Sequence, residues 1–423
     1  MSILIKNAKL LLTPTKTIEK GNLYIEDKKI VDFKKHSADT VIDASDHVVM
    51  PGLINAHTHI PMVFLRGLAE DLPLKQWLEK EVWPREKKVN GKIVYHAALL
   101  GMAEALASGT TSIVDMYFFQ KELATAAKES GIRAWLGYGS MDGVPSSELD
   151  TEIKNERAAI RAVMDTGSER VMPIISPHSP YTCSKELLIH SGEASKELNL
   201  PLQIHVSETK DEVKQLRKVV GKPPLKYLDT LGLIGPRTII AHGVWLTPGE
   251  VMLTSKRGAT LAHCPVSNFK LGSGIAPIHK YIEKGMNVAL GTDGPASNNS
   301  LNMFEEMKVA ALGQKLSVPD FASRKVIDMA TVNGARPLDG QLGELKPGNK
   351  ADIIIMNLNG PNMAPVVNKT QIINNLVYGA RGSNLSHVIV NGEVVAKDGR
   401  ALRIDVEKSS RLLLKEMDKR GVL

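Results

Sequence analysis

The sequence predicts an α/β protein: a (β/α)8 TIM-type barrel carrying a small β-sandwich domain formed by both chain termini. Three observations predict it. Residues 52–345 alternate eight apolar or β-branched runs with stretches of helical spacing, the pattern of buried parallel strands joined by crossover helices. Both ends of the chain read as short strands divided by turn residues, a pattern that suggests one small β-domain built from both termini, with two separate small sheets as the alternative. Histidine and aspartate recur directly after the apolar runs, where a barrel of this kind assembles its active site. The expected domains are residues 1–51 as the first part of the sandwich, 52–345 as the barrel, and 346–423 as the second part of the sandwich with a C-terminal helix.

Taken in order, the first strands are expected at 3–5, 10–12, 22–25, 30–33 and 48–50, with the Glu26-Asp27-Lys28-Lys29 turn between two of them. The barrel strands centre near 53–56, 111–114, 134–137, 171–175, 202–204, 238–241, 259–262 and 288–290. Helical spacing falls at 92–107, 120–130, 155–165, 185–198 and 278–284, and a helical tail at 302–312, 322–333 and 407–419 wraps the outside. Strands return at 351–355 and 387–395, the second interrupted by Asn391-Gly392, which suits a tight hairpin turn. A doubly wound open sheet is disfavoured, because no glycine-rich dinucleotide fingerprint follows the first run.

Composition bounds the function classes. Of 423 residues, 43% are apolar and 23% charged, ordinary for a globular chain with a large core. The formal charge is +7, but cations and anions are interleaved, as in Arg85-Glu86-Lys87-Lys88, so no basic block points to nucleic acid. The two cysteines, Cys183 and Cys264, form neither a disulfide framework nor a thiolate metal site. No leader pattern opens the chain and no run of about 18 apolar residues occurs, so no membrane span is expected and the cytoplasm is the expected location.

The chemistry begins at PGLINAHTHI, residues 51–60. On a strand, residues i and i+2 share a face, so His57 and His59 aim at one point, as two ligands of one ion must. Four more strand ends carry histidine: His178, His205, His242 and His263. Half of the twelve histidines thus fall at strand ends, and the last strand is followed by Asp293. His57, His59, His205 and Asp293 suit one Zn²⁺ or another divalent first-row metal, Fe being the alternative, with a position left for water. Such an ion lowers the pKa of water towards neutrality. Glu208 either carries protons to a substrate nitrogen or caps the charged helix that follows. His242 is placed to polarise the water. His178 either holds substrate or caps a turn, and His263 either joins the site or is a structural histidine bonded to a loop.

PGLINAHTH, the His205-Val206-Ser207-Glu208 segment, His242 and Gly291-Thr292-Asp293, in this order, resemble the amidohydrolase superfamily over nearly the whole chain. Within it, the sequences at 62–67, 83–86, 176–181 and 263–268 are most similar to the 5'-methylthioadenosine/S-adenosylhomocysteine deaminases. The resemblance implies the sandwich form of the terminal β-domain, and one metal on His57, His59, His205 and Asp293, with Glu208 as the acid towards adenine N1. His242 and Asp293 would handle the protons of water and departing ammonia. Glu86 would meet the ribose hydroxyls and His178 the nucleoside. The implied substrate is a small nucleoside such as 5'-methylthioadenosine, S-adenosylhomocysteine, 5'-deoxyadenosine or adenosine, and the expected assembly is a homo-oligomer. Binuclear members carry a bridging lysine after the fourth strand; residues 171–178 contain none, which favours a mononuclear centre. One departure is visible: residues 139–150 contain no arginine to receive an amino-acid carboxylate, so a neutral 5' substituent is favoured. Guanine deamination, triazine dechlorination and a catalytically silent metal-binding barrel are the alternatives. The segment 61–83, directly after the first barrel strand, is a candidate lid.

Overall fold

The computed structural model describes residues 2–13, 17–68, 70–143 and 148–423. The N-terminal strands are β1 (Ser2–Leu12), β2 (Thr17–Glu26), β3 (Lys29–Asp32), β4 (Thr40–Asp43) and β5 (His47–Pro51). The barrel strands follow: β6 (Leu53–Thr58), β7 (Thr110–Tyr117), β8 (Arg133–Tyr138), β9 (Val171–Pro173), β10 (Leu202–Val206), β11 (Thr238–His242), β12 (Thr260–His263) and β13 (Asn287–Leu290). The last strands are β14 (Ile353–Asn357), β15 (Leu385–Val390), β16 (Glu393–Lys397) and β17 (Arg400–Ala401).

β6–β9 and β10–β13 each pair in parallel in sequence order. Two seams close them into a ring. At one, Ile175 bridges Leu202, and at the other Thr58 bridges Asp293. The ring interior is packed by Ile54, Ala56, Val114, Trp135, Ile174, Ile239, Ala262 and Ala289, with Ala335, Leu338 and Leu342 joining the same cluster. A filled ring has no pore, so the only place for chemistry is its mouth at the strand C-termini. β6 and β7 are buried at every residue, so polar members such as Asn55, Thr110, Thr111, Ser112 and Asp115 lie inside with the apolar ones instead of alternating outward to solvent.

The terminal strands form one nine-stranded sheet in which β14, from the C-terminal part, lies against β5, from the N-terminal part. Its own core gathers Ile3, Ile5, Leu11, Leu23, Ile25, Ile30, Val49, Ile353, Ile355 and Ile389. Asn391 and Gly392 have φ of 54° and 75° and join β15 to β16, as a turn with two left-handed residues requires. A wholly buried Arg133, at the start of β8, ties the barrel to this sheet. It donates to Asp352 from Nε (2.7 Å) and Nη2 (3.0 Å), and to Asn391 Oδ1 at 3.2 Å.

Four features depart from expectation. The runs at 3–5 and 10–12 are one strand whose register shifts between Ile5 and Ala8, where Asn7 takes φ of 59°. β4 was not anticipated; it pairs with β1 and is exposed at all but one residue, so it carries no apolar signal. The helix expected at 322–333 is two, Ser323–Met329 and Val332–Ala335. The helix at Pro248–Arg257 was also not anticipated, and the charged helix expected after Thr209, given no bounds from its spacing, runs Lys210–Val220. Lys210–Val220 buries only Glu212 and Leu216, too few for an apolar stripe. Among the described residues no helix is long and apolar enough to cross a membrane.

Candidate metal centre and active site

The strand ends bring the expected residues to one point. Donor atoms of His57, His205, His242 and Asp293 lie within 4.8 Å of one another, all in buried side chains. His59 joins them, its Nε2 standing 3.1 Å from Asp293 Oδ1 and 3.3 Å from His205 Nε2. His57 Nε2 lies 3.6 Å from the same Asp293 oxygen. His178 lines the cavity next to this cluster, its ring centroid 4.8 Å from that of His205. His263 is buried, is not part of the converging donor set, and has no partner for Nδ1.

What makes four imidazoles converge is the bond each makes behind itself. His59 Nδ1 meets the Met116 carbonyl at 2.6 Å, and His205 Nδ1 meets the His178 carbonyl at 2.6 Å. His57 Nδ1 meets Gln203 Oε1 at 3.2 Å, and His242 Nδ1 meets Asn268 Oδ1 at 3.0 Å. A carbonyl accepts only, so Nδ1 must carry the hydrogen and Nε2 presents its lone pair to the centre. Asp293 is held in the same way: Ser267 and Ser297 each donate a hydroxyl to its Oδ2 at 2.6 Å, leaving Oδ1 for the centre.

Electrostatics describe a place built for a cation. Burial holds His57 near about 4, and keeps His205 far below and His242 below the usual imidazole value, so all three are neutral at pH 7. Burial opposes charge on Asp293 as well, but the neighbouring imidazoles of His57 and His59 outweigh it and keep the carboxylate ionised. Burial also opposes charge on His59, where Asp293 prevails and pushes it up to about 9. A buried Nε2 on His57 has no hydrogen-bond partner. Three neutral imidazoles, a fourth on His59 whose proton a cation would displace, one carboxylate and the unpartnered His57 Nε2 fit a divalent metal ion. Gly291 leaves room for this packing: a Cβ there would stand 2.7 Å from the His57 carbonyl oxygen.

Above the donors opens a cleft with about 690 Å³ of empty space, counting the solvent at its mouth. Glu208 reaches into it, 6% exposed, with Oε2 3.8 Å from His242 Nε2 and Oε1 accepting from Ser273 Oγ at 3.0 Å. Burial, with the charge of Asp293, pushes Glu208 up to about 8. It is therefore no helix cap; Thr209 caps the helix that follows. Glu86 lines the far side, accepts from the Tyr117 hydroxyl at 2.8 Å, and is raised by burial to about 7. Burial holds His178 neutral, near about 3. Met62, Leu74, Trp77, Leu78, Val82 and Trp83, all from the segment expected as a lid, form the apolar roof. Among the described residues the lining contains no lysine or arginine. Residues 144–147 of the loop after β8 lie outside the described residues; they are Val-Pro-Ser-Ser.

The architecture and donor set now meet the comparisons. The model of the amidohydrolase family matches residues 48–395. The chain belongs to the amidohydrolase family. Among amidohydrolase relatives, a 5-methylthioadenosine/S-adenosylhomocysteine deaminase of Pyrococcus furiosus is 44% identical over 98% of this chain and 100% of its own. A 5'-deoxyadenosine deaminase of Methanosphaera stadtmanae is 43% identical, covering 96% of each. A zinc-bound crystal structure of an adenosine deaminase from Xanthomonas campestris superposes with a TM-score of 0.93 at 30% identity, over 100% of this chain and 99% of that one. This amidohydrolase therefore holds a divalent metal, and the buried histidine and aspartate side chains at the barrel mouth are the donors that fit it.

Sequence reasoning named the groups that face the centre and missed those behind them. Gln203, Asn268, Ser267 and Ser297 were not singled out for a role, since small polar residues after apolar runs are common in turns. One signal comes only from the backbone: Ser207, His242 and Asp293 have φ of 55°, 68° and 58°, and left-handed non-glycine residues gather at functional sites.

Proposed function

We propose that this amidohydrolase hydrolyses the adenine ring of 5'-substituted adenosines, such as 5'-methylthioadenosine, 5'-deoxyadenosine, S-adenosylhomocysteine and adenosine, to the inosine analogue and ammonia. One observation carries the reading: Glu208 is a carboxylic acid that burial keeps protonated at neutral pH, beside the metal-ligand cluster in the cleft at the barrel mouth. The names of the relatives supply the substrate class.

His57, His59, His205 and Asp293 would hold the metal, with zinc favoured over iron by the imidazole-rich donor set and by the zinc-bound relative. When bound, the ion supplies Lewis acidity that makes water nucleophilic at pH 7. Glu208 donates its proton to ring N1, which makes C6 electrophilic. Water adds at C6, His242 and Asp293 take up its protons, and a proton passed to the amino group lets ammonia leave as the C6 carbonyl forms. Glu86 accepts from the ribose hydroxyls, and His178, held by Thr182 Oγ1 at 2.8 Å, orients the nucleoside. The apolar roof and the lack of a lining cation favour a neutral 5' group.

The reading extends to organisation. Residues 1–51 and 346–423 form the small β-sandwich and residues 52–345 the barrel, which is supported by the separate core of the terminal sheet. The 61–83 segment is a lid, supported by its six residues over the cavity. Two free, buried cysteines accord with a cytoplasmic location, and the assembly is a homo-oligomer, which light scattering would test.

The deciding experiment is ammonia release by the zinc-replete protein from the adenosine compounds, guanine and a chlorotriazine. The adenosine compounds should turn over, Glu208→Gln should lower kcat by ~10²–10⁴-fold, and chelation should abolish activity until zinc is restored. Turnover of guanine or the triazine alone would overturn the reading.

A further inference from the structure

Glu208 occupies a position that strand geometry denies it. Along β10, Gln203 and His205 point into the barrel towards His57 and His59, while Ile204 and Val206 pack in the outer core. Alternation would send residue 208 outward with Ile204 and Val206. It turns inward because Ser207 adopts φ of 55°, a conformation that is unfavourable for a non-glycine residue and persists only when its surroundings enforce it.

The enforcing group is Glu212. Its Oε1 accepts from Ser207 N at 2.8 Å and its Oε2 from Glu208 N at 2.7 Å. Thr209-Lys210-Asp211-Glu212 has the spacing of a capping box, and Thr209 does cap the helix by accepting from Glu212 N at 3.2 Å. In a capping box, however, the glutamate reaches back to the cap residue's own amide; here it passes that amide and clamps the turn before it. The other side of the turn is closed by Trp245, whose N donates to the Ser207 carbonyl at 2.9 Å. Trp245 Nε1 in turn donates to the Ser273 carbonyl at 2.7 Å, and Ser273 Oγ reaches Glu208 Oε1. Glu212 and Ser273 are 9% and 4% exposed, so water does not compete for these bonds.

We propose that Glu212 and Ser273 are positioning residues for Glu208: Glu212 holds the left-handed turn that swings the side chain into the cavity, and Ser273 occupies Oε1 so that the proton resides on Oε2. This rests on the deaminase reading. Oε2 is the oxygen nearer His242, so the pair selects which oxygen delivers the proton to the ring. Neither residue lines the cavity.

The test measures kcat and KM for methylthioadenosine, bound zinc, and the infrared C=O band of Glu208, identified by its loss in Glu208→Gln. Glu212→Gln turns an amide donor against a backbone N–H, and Ser273→Ala removes the hydroxyl. Each should lower kcat ~10- to 100-fold, the scale of a misplaced catalytic group, with KM within about twofold and zinc unchanged. Ser273→Thr should restore most of kcat, and Ser273→Ala should move the Glu208 band to higher frequency. A plain helix cap or packing role predicts a lower Tm with kcat unchanged, and that result in both variants would overturn the proposal. If the wild-type protein deaminates no adenosine compound, the functional reading fails. The positioning proposal is then decided by the infrared band, whose insensitivity to Ser273→Ala would refute it.

Discussion

Replacing the acid should make the protein more stable as it makes it inactive, and by an amount that depends on pH. Glu208 ionises in the fold only near about 8, against 4.5 for a free glutamate, chiefly because it is buried. Between these values the unfolded chain has released a proton that the folded chain retains, so stability falls as pH rises. The slope is about 1.4 kcal/mol per pH unit, and over the whole window the penalty approaches about 5 kcal/mol. Below about pH 4.5 it is absent; above about pH 8 it is fully present and constant. Glutamine in the same place has no such term. Its altered hydrogen bonding adds an offset that does not vary with pH, so only the pH-dependent part is diagnostic. Urea unfolding of wild-type and Glu208→Gln protein, both stripped of metal, at several values from pH 5 to 8.5 should show the variant gaining progressively on the wild type. In the zinc-loaded wild type the same ionisation should appear as loss of kcat on the alkaline side. A stability difference that stays flat across this range would refute the claim that burial holds the acid protonated.

Three further outcomes follow from the structure. Arg133→Met strands the buried carboxylate of Asp352 and should cost about 3–5 kcal/mol in thermal or urea unfolding, while the double variant Arg133→Met/Asp352→Leu should recover most of it; additive losses would refute the pairing. Gly291→Ala drives a Cβ against the His57 backbone and should cost about 1–3 kcal/mol together with zinc occupancy, measured by elemental analysis. With no cation in the lining, kcat/KM for methylthioadenosine should equal or exceed that for S-adenosylhomocysteine, and a large preference for the latter would show that the missing arginine does not govern selectivity.

The barrel and its ligands were legible because both are written in local pattern. A strand buried on both faces lacks the polar alternation of a half-buried one, and histidine or a carboxylate at its end is a metal-ligating type, so β6 with His57 and His59 stands out without knowledge of the fold. Glu208 was legible as a residue but ambiguous in role, since Ser207-Glu208-Thr209 before a charged helix reads equally as a cap. Tertiary structure ruled out the cap by burying Glu208 in the cleft, fixing Ser207 in a left-handed turn and giving the cap to Thr209. It also decided the tautomers, because the acceptors behind His57 and His242 are Gln203 and Asn268, one from a different strand and one from the helix after β12. These bonds join residues 146 and 26 positions apart, and no periodicity spans such separations. The sequence by itself determined which residues can bind a metal and which runs must be buried; only the closed barrel decided which way each side chain faces, because direction is set by partners that folding alone brings near.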